Sequence, residues 1–586
     1  MSNESSPSSQ SPSESSGAPS IDPHAEPSYN TLRRRDFIRV AGAGAGMLLV
    51  GGTRLAAEEN RRVPGLVRSS VRSTSASADI VVIGAGGWGS FTALNLRRMG
   101  AKVTLVDAYG PGNARSTSGD ETRGVRSSYG DRPGEQGELW TLWAREAMKK
   151  WIAFDDEWGK ELRLNLFHVT GDLIMRSEWD NFQLRTKVWW DKNKIPYQVL
   201  NPDDVRKAFP IISMDDITAV LYEPDAGVVR ARRAAQAAAA AFEHLGGKIV
   251  IGRATPSKIA NGKLQEIKLD TGATLRADTF VWAVGPWMGK TFPELLAKKT
   301  RVPIGYVCYF ATPVGDHRFT YPNLPSYNFP GVTGWPALPV DNRGFRVRGA
   351  ERAPTPPGEV AAGQNGRGAP GSTNTSAAMA TPAGAPSEAN GRSPNAAGAN
   401  GSANAAGAAT DGRGGRGGGR GGGGAGGGRG NGGGGGGFGG GQQADVPPQQ
   451  QDPDTSDRWA DADRILGSRR FVSHRFPILK DAPIAQTHAC HYESTSSGNF
   501  IVDIHPHMSN AWIVAGGNAE GFKFCPVIGE YAAQRVMGIE GDPAVAKAFR
   551  IPEKDYEPPP TPAQQDSIRK AQQADSAKKA PAKPPF

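Results

Sequence analysis

The chain has 586 residues, a formal net charge of +10 and only three cysteines. Three cysteines exclude a disulfide framework and allow one bridge at most. Part of the positive charge falls in low-complexity segments, so the charge does not indicate a nucleic-acid-binding face on the folded core. The nine histidines show no spacing typical of metal ligands, and we predict no metal site.

The N-terminal segment carries an export pattern. Residues 1–30 are rich in Ser and Pro and are predicted to be disordered. Arg34-Arg35-Asp36-Phe37-Ile38-Arg39 then precedes the small apolar run Val40–Gly52, which fits the twin-arginine signal and is short for a membrane-spanning helix. We therefore predict a disordered n-region and signal over residues 1–57, recognised by the twin-arginine translocase. The protein would then be periplasmic, or anchored facing the periplasm if the signal is not cleaved; the alternative is a basic patch beside a short hydrophobic helix.

After a linker over residues 58–78, the chain shows a strand–helix–strand pattern. The β-branched run Ile80–Ile83 predicts a buried parallel strand, and Phe91–Arg98 predicts a helix. A second apolar strand, Lys102–Val106, ends at Asp107. A carboxylate at this position accepts a hydrogen bond from a ribose hydroxyl in dinucleotide-binding folds.

The turn between the first strand and the helix has the G-x-G-x-x-G spacing, with Gly84, Ala85, Gly86 and Gly89 as the positions that matter. The first glycine permits the tight turn, the second lets a pyrophosphate approach the backbone, and the third lets the helix pack closely on the strand. Such a motif alone also occurs at ordinary strand–helix turns. With both strands and the terminal acid in register, dinucleotide binding is favoured.

The rest of the core reads as a mixed α/β chain, because helix-type and strand-type patterns alternate along it. In chain order we predict a helix over Leu139–Asp155, a helix over Arg232–Leu245, a strand over Lys248–Ile251, a hairpin from Leu264–Leu269 to Thr274–Arg276, a strand over Thr279–Val284 ended by Gly285, and a strand over Ala511–Val514 that runs into Gly516 and a helix from about Pro526. Glycine-terminated strands from three distant parts of the chain predict one parallel sheet.

Two further segments are predicted to stay outside the core. Residues 354–451 form a Gly- and Arg-rich insertion, and residues 551–586 form a tail rich in Pro and Lys. Neither could bury enough apolar surface to offset the entropy of ordering it. Arg-Gly-Gly repeats can bind nucleic acid through charge and stacking, but Phe438 is the lone aromatic residue there. We predict a solvated loop and no nucleic-acid partner.

A set of short motifs follows in a distinctive order along the core. They are Ile83–Gly89, Gly119-Asp-Glu-Thr-Arg-Gly-Val-Arg126, Tyr222-Glu-Pro-Asp-Ala-Gly227, Trp282-Ala-Val-Gly-Pro-Trp287, His488-Ala-Cys-His-Tyr492, Asn499-Phe-Ile-Val-Asp503 and Gly521-Phe-Lys-Phe524. This order resembles the FAD-dependent oxidoreductases of the DAO family, and within it the branch of monomeric sarcosine oxidase and N-methyltryptophan oxidase.

The resemblance implies an α/β fold with a discontinuous Rossmann-like FAD-binding domain and a second, substrate domain built on a mixed β-sheet. The FAD-binding domain would comprise residues 79–155, 223–300 and 487–550; the substrate domain would comprise residues 156–222, 301–353 and 452–486. The resemblance also implies a monomer.

The activity implied is oxidation of the C–N bond of a small amine or (N-methyl) amino acid by hydride transfer to FAD, with oxygen as electron acceptor. Arg126 and Lys523 match the family's substrate-carboxylate pair. Arg123 matches the arginine that lies against the flavin, and the family's lysine near the flavin falls on Arg346, so Arg123 and Arg346 are predicted as catalytic. The predicted cofactor-binding residues are Gly84, Ala85, Gly86, Gly89, Asp107, Thr122, Arg123, Gly285, Cys490, Gly516 and Gly521.

Cys490 matches the cysteine that joins the flavin covalently in the sarcosine oxidase branch; the alternative is a small buried residue on a strand. The chain departs from the family pattern where a histidine is replaced by Ser118 and Gly119, and where a tyrosine is replaced by Val332 or Thr333. The substrate side chain and the electron acceptor therefore stay open. A dehydrogenase passing electrons to a quinone or cytochrome, or a degenerate flavin-fold binding protein, are the alternatives.

Overall fold

The computed structural model describes residues 63–67, 78–132, 134–339, 343–349, 452–460 and 462–556. All of these belong to one of the two compact units of the chain. The predicted export segment, the whole Gly- and Arg-rich insertion and most of the C-terminal tail lie outside the described residues, so the predictions on them stay predictions.

A six-stranded sheet contains the glycine motif. In spatial order its strands are β21 (Ile501–His505), β22 (Met508–Ala515), β13 (Thr279–Trp282), β1 (Asp79–Ile83), β2 (Lys102–Asp107) and β9 (Lys248–Ile251). The five strands from β22 to β9 run parallel. This is the sheet predicted from three distant parts of the chain, with the difference that β21 is an antiparallel edge strand, because a tight turn joins it directly to β22.

The helices of the described ranges are α1 (Gly87–Arg98), α2 (Gly134–Leu162), α3 (Asn181–Lys192), α4 (Pro202–Ala208), α5 (Ala231–His244), α6 (Met288–Thr291), α7 (Pro293–Leu296), α8 (Ala462–Arg475), α9 (Cys525–Val536) and α10 (Pro543–Ala548). Short 3-10 turns occur at Thr117–Gly119, Gly285–Trp287, His317–Phe319, Pro477–Leu479 and Gly521–Phe524. Helix α1 packs against both α5 and α9.

Two helices are longer than predicted from the sequence. Helix α2 extends beyond Leu139–Asp155 at both ends, because its buried face continues from Gly137 to Trp158. Helix α1 begins at Gly87 rather than Phe91, so the glycine motif itself forms its first turn. A Cβ on Gly89 would lie 1.7 Å from the Gly84 carbonyl oxygen, and only glycine lets the helix approach the strand this closely.

The second large sheet has eight strands and is mixed. In spatial order its strands are β19 (Ile484–His491), β15 (Ile304–Phe310), β18 (Phe345–Arg348), β17 (Val332–Trp335), β16 (Ser326–Phe329), β5 (Asp172–Arg176), β7 (Ala219–Glu223) and β6 (Gln198–Leu200). Only the β16–β5 pair is parallel among these described strands. The predicted domain boundary after residue 486 falls inside β19, which pairs with β15 along its length.

Smaller sheets complete the described part of the chain. They are β3 (Thr122–Val125) with β8 (Gly227–Arg230) and β4 (Phe167–Val169), β10 (Ala254–Ala260) with β11 (Lys263–Leu269) and β12 (Thr274–Leu275), and β14 (Thr300–Arg301) with β20 (Ser494–Thr495). One hydrophobic cluster lies between the parallel sheet and its helices, and another packs on the eight-stranded sheet. Within the described ranges, no helix is both long enough and apolar enough to cross a membrane.

Candidate active site

A cavity of about 490 Å³ lies between the two large sheets. One side is formed where the parallel strands β1, β2, β13 and β22 end, and the other by a face of the eight-stranded sheet. In open α/β sheets, ligands bind in the crevice outside the carboxyl ends of the strands. This crevice is therefore the position where the topology leads us to expect a ligand.

The glycine turn forms the first wall. Gly84 has φ +103°, and a Cβ on it would lie 2.3 Å from the Ala283 carbonyl oxygen, so the turn requires glycine. Gly86 lines the cavity, and the nearest atom to a Cβ there would be Ser118 Oγ at 3.4 Å. The protein itself therefore does not exclude a side chain at Gly86, whereas a ligand in contact with its backbone would.

Asp107 is hydrogen-bonded to the same turn. Its Oδ2 accepts from the Ala85 N–H at 2.7 Å, and its Oδ1 accepts from the N–H groups of Tyr109 and Gly110 at 2.8 and 2.9 Å. Burial raises the pKa of Asp107, although these backbone bonds oppose the shift. The carboxylate lines the cavity, where a ribose hydroxyl could also donate to it.

The segment that follows the insertion binds three side chains of the cavity wall. Asp454 accepts from the Trp287 indole N–H at 2.8 Å, from Arg253 at 3.1 Å and from Lys290 at 2.5 Å. Burial alone would raise the pKa of Asp454, but these donors lower it well below its usual range. All three donors line the cavity. Sequence reasoning missed Asp454, because it stands directly after a low-complexity segment and belongs to no recognisable motif.

The opposite wall is one face of the eight-stranded sheet. Alternate residues along a strand face the same side. The side chains or backbone that line the cavity are Gly305 and Val307 on β15, Arg346 and Arg348 on β18, Thr333 and Trp335 on β17, and Cys490 on β19. Cys490 stands opposite Gly305, and Arg346 stands opposite both Tyr309 and Trp335.

Asp120 joins the two predicted catalytic arginines. Its carboxylate accepts from Arg123 in a very short hydrogen bond, from Arg346 Nη2 at 3.0 Å and from the Tyr309 hydroxyl at 2.6 Å. Burial would raise the pKa of Asp120, but the charges of Arg123 and Arg346 outweigh it and hold the pKa well below its usual range. The guanidinium of Arg346 also stacks on Trp335, at 4.0 Å from the ring centroid.

Cys490 lies beside one of these arginines. Arg123 Nη2 is 3.0 Å from Cys490 Sγ. Burial favours the neutral thiol, yet the charge of Arg123 and a hydrogen bond with His488 lower the pKa of Cys490 overall. Cys308 and Cys525 are buried too, and burial raises the pKa of each. Cys490 therefore has the strongest thiolate character of the three, which is what a covalent attachment would need.

The predicted substrate anchors meet in the wall of the cavity. Lys523 and Arg126 both line it, and both contact Glu520. Lys523 forms a very short ion pair with Glu520 Oε2 and donates to the Tyr129 hydroxyl at 2.7 Å, whereas Arg126 Nη2 lies 3.9 Å from Glu520 Oε1. Burial would raise the pKa of Glu520, but the two cations lower it to about 2. Burial lowers the pKa of Lys523 to about 8 against the opposing effect of Glu520.

The remaining predicted residues divide into two groups. Gly285 and Gly521 line the cavity. Behind the wall lie Ala85, Gly89, Thr122 and Gly516, which support it: the Thr122 hydroxyl accepts from the Trp335 indole N–H at 2.7 Å, and the Gly516 N–H donates to Glu493 at 2.7 Å.

The lining residues fit a bound dinucleotide. The glycine turn leaves backbone exposed at Gly86, and Asp107 offers a ribose acceptor. Among the described residues, buried Nε and Nη1 of Arg346 and buried Oε2 of Glu493 have no hydrogen-bond partner. Burial raises the pKa of Glu493 to about 7. Such buried polar groups are costly unless a ligand satisfies them.

Residues 79–376 match the family described as FAD dependent oxidoreductase, DAO. The chain belongs to the DAO family. This DAO-family chain is distantly related to sarcosine oxidases and N-methyl-L-tryptophan oxidases. It is 24% identical over 221 residues to monomeric sarcosine oxidase from a Bacillus species, covering 37% of the chain and 53% of that enzyme. The chain thus spans about half the length of the curated relatives it matches.

Solved structures show the same fold. Fructosamine oxidase (Amadoriase II) from Aspergillus fumigatus superposes with a TM-score of 0.56 at 18% identity, covering 82% of this chain and 90% of that one. Glycine oxidase from Bacillus cereus superposes with a TM-score of 0.54 at 16% identity, covering 82% of this chain and all of that one. The α/β fold with FAD-binding and substrate domains, predicted from the motifs, is confirmed.

Sequence reasoning also missed Asp120 and Glu520, although both stand inside or beside quoted motifs. Glu520 precedes Lys523 by three residues, and the intervening turn Gly521–Phe524 is a 3-10 helix. Side chains three residues apart eclipse each other in that helix, so the pair meets. The three-residue spacing of Glu520 and Lys523 is visible in the sequence, but the 3-10 conformation of the turn is not.

Proposed function

We propose that this chain is an exported FAD-dependent oxidoreductase that oxidises the C–N bond of an amine or (N-methyl) amino acid. One observation carries the proposal: a glycine turn suited to a pyrophosphate and a buried group of cations line the same cavity. Bound FAD would supply the two-electron acceptor for a hydride from the carbon next to nitrogen.

Arg123 and Arg346 are suited to stabilise negative charge that develops during the reaction. Arg123 and Arg346 are held by one carboxylate, Asp120, which fixes their guanidinium groups without matching both charges. Preorganised donors that face developing charge in a site shielded from water stabilise it strongly. We propose that these two arginines stabilise the charge left by hydride transfer, and that Asp120 positions them.

The products follow from the electron balance. The carbon loses a hydride, the resulting imine takes up water, and it separates into a carbonyl compound and an amine. Oxygen, taking two electrons and two protons, would be released as hydrogen peroxide. With a quinone or cytochrome as acceptor, the same amine oxidation would proceed without peroxide.

The test is the absorbance spectrum of the purified protein before and after anaerobic addition of candidate amines and N-methyl amino acids. We expect a yellow protein whose flavin band bleaches with substrate and returns with air, together with peroxide. If the flavin band stays bleached in air but returns when a quinone is added, the electron acceptor is a quinone and not oxygen. A colourless protein that takes up no FAD would overturn the proposal.

Export is part of the proposal and is supported by the sequence pattern around Arg34 and Arg35. The twin-arginine route carries folded proteins, which suits an enzyme that must bind its cofactor before it leaves the cytoplasm. Covalent attachment through Cys490 is likewise proposed and is supported by its contact with Arg123.

A further inference from the structure

The two cations that the family resemblance assigns to a substrate carboxylate already hold a carboxylate of the chain itself. Glu520 lies between Lys523 and Arg126 with its oxygens directed to different partners, Oε2 to Lys523 and Oε1 to Arg126. Oε2 also lies 3.5 Å from the Tyr129 hydroxyl. The Glu520 carboxylate thus occupies the bridging position between the two cations.

This arrangement is buried and held from several sides. The side chains of Lys523, Glu520 and Arg126 are only 3%, 7% and 11% exposed. The Glu520 N–H donates to the Gly517 carbonyl at 2.9 Å, and the next residue, Gly521, packs against the Trp88 ring so closely that a Cβ there would lie 2.7 Å from it. The backbone therefore keeps the carboxylate at the cavity wall.

A second carboxylate of the chain faces the same two cations. Asp172 is a second buried carboxylate that interacts electrostatically with Arg126 and Lys523. Arg132 and Arg348 also interact electrostatically with Glu520, and Arg176 does so with Asp172. A substrate carboxylate entering this group would have to displace Glu520 or face it at close range, and like charges in a buried site repel strongly.

We propose that Glu520 is a specificity-determining residue that fills the anion position between Arg126 and Lys523, so that the site selects amines lacking a carboxylate beside the nitrogen. This inference rests on the proposed function and names the substrate class. The Glu520 carboxylate then repels a second carboxylate at the position it occupies, which favours an amine over an amino acid whose carboxylate would have to enter there.

The experiment compares two substrates that differ only in the carboxylate, N-methylphenylalanine and N-methylphenethylamine. The measured quantity is the ratio of their second-order rate constants for anaerobic flavin bleaching, in the wild-type holoenzyme and in Glu520→Gln. We expect the wild type to prefer the amine. In Glu520→Gln, the released cations should shift the ratio toward the amino acid by about 10- to 100-fold, the range of a charge-assisted hydrogen bond.

Glu493→Gln is the matched control. Glu493 is another buried carboxyl in the cavity wall, but it accepts from the N–H groups of Gly516 and Gly517 and is hydrogen-bonded to neither cation. Whatever this control does to the overall rate, it should leave the substrate ratio unchanged. Glu520→Asp, which keeps the charge, should keep the preference for the amine.

A wild-type enzyme that prefers N-methylphenylalanine, with a ratio unaltered in Glu520→Gln, would overturn the inference and leave the oxidase function standing. If neither compound nor any shorter homologue bleaches the flavin in any variant, the proposed function fails and the inference with it. Should Glu520→Gln not fold, phenylacetate provides a second measurement on the wild type. It should not perturb the flavin spectrum or compete with the amine, and competition would contradict the inference.

Discussion

Replacing Asp120 by Asn should destabilise the protein strongly, because it removes the one carboxylate shared by two buried guanidinium groups. Asp120 and Arg346 are 3% and 2% exposed, and Arg123 is 14% exposed. Removing one partner of a buried pair typically costs about 3–5 kcal/mol. Since Asn can still accept from Tyr309, we expect about 3 kcal/mol, which is roughly a hundredfold in the unfolding equilibrium.

The assay is urea unfolding of the holoprotein, monitored by tryptophan fluorescence. All variants are fitted with one m-value, the slope of the unfolding free energy against urea concentration. Glu157→Gln is the control, since Glu157 pairs with Arg98 at 2.6 Å but is 51% exposed, and such a surface pair contributes about 0–1 kcal/mol. The double variant Asp120→Asn/Arg346→Gln should be less destabilised than the sum of its single variants, because it removes one unmatched charge. An Asp120→Asn protein as stable as the Glu157→Gln control would refute the reasoning.

Gly86→Val should lose FAD while keeping its circular dichroism spectrum, because the protein leaves room at Gly86 that a bound pyrophosphate would take; a variant with wild-type flavin content would contradict this. Acid-denatured wild type should keep its colour on a peptide containing Cys490, and Cys490→Ala should release it; complete release from the wild type would remove the covalent link and leave FAD binding intact. Replacing Arg34 and Arg35 by Lys should retain the flavin-loaded protein in the cytoplasm, whereas unchanged fractionation would mean that the pair is only a basic patch. Glu520 has a folded-state pKa of about 2 against an ordinary value of 4.5, so it stabilises the fold above pH 4.5 and loses that contribution as the pH falls toward 2. The stability of Glu520→Gln should therefore depend less on pH over that interval, by about 3 kcal/mol, and an unchanged profile would show that Glu520 is not ionised in the fold.

Local features of the fold could be predicted because they depend on residues close together in the chain. The strand at Ile80–Ile83, the glycine turn and Asp107 follow one another within a short segment, and each has its own steric or hydrogen-bonding requirement. Element boundaries were less accurate. Helix α2 is longer than its apolar spacing indicated, since Trp158 finds a buried position only in the assembled core.

The site could be predicted only in part, because its contacts join remote parts of the chain. The ordered motifs identified Arg123, Arg126, Cys490 and Lys523 as candidates, and all four line one cavity. No motif indicated that Asp120 would hold two arginines or that Asp454 would bind three side chains of the cavity wall. Those roles depend on which strands become neighbours, and strand order is decided by packing.

By itself, the sequence determined the dinucleotide turn, the FAD-dependent family and the types of charged residue available for chemistry. Only the tertiary structure decided how those charges pair. Lys523 and Tyr129 are 394 residues apart yet hydrogen-bonded, and Arg123 reaches Cys490 across 367 residues. The sequence suggested that Arg126 and Lys523 were available to a substrate anion, whereas the fold brings Glu520 between them. The physical reason is that burial makes each charge depend on its nearest neighbours, and those neighbours exist only in the folded chain.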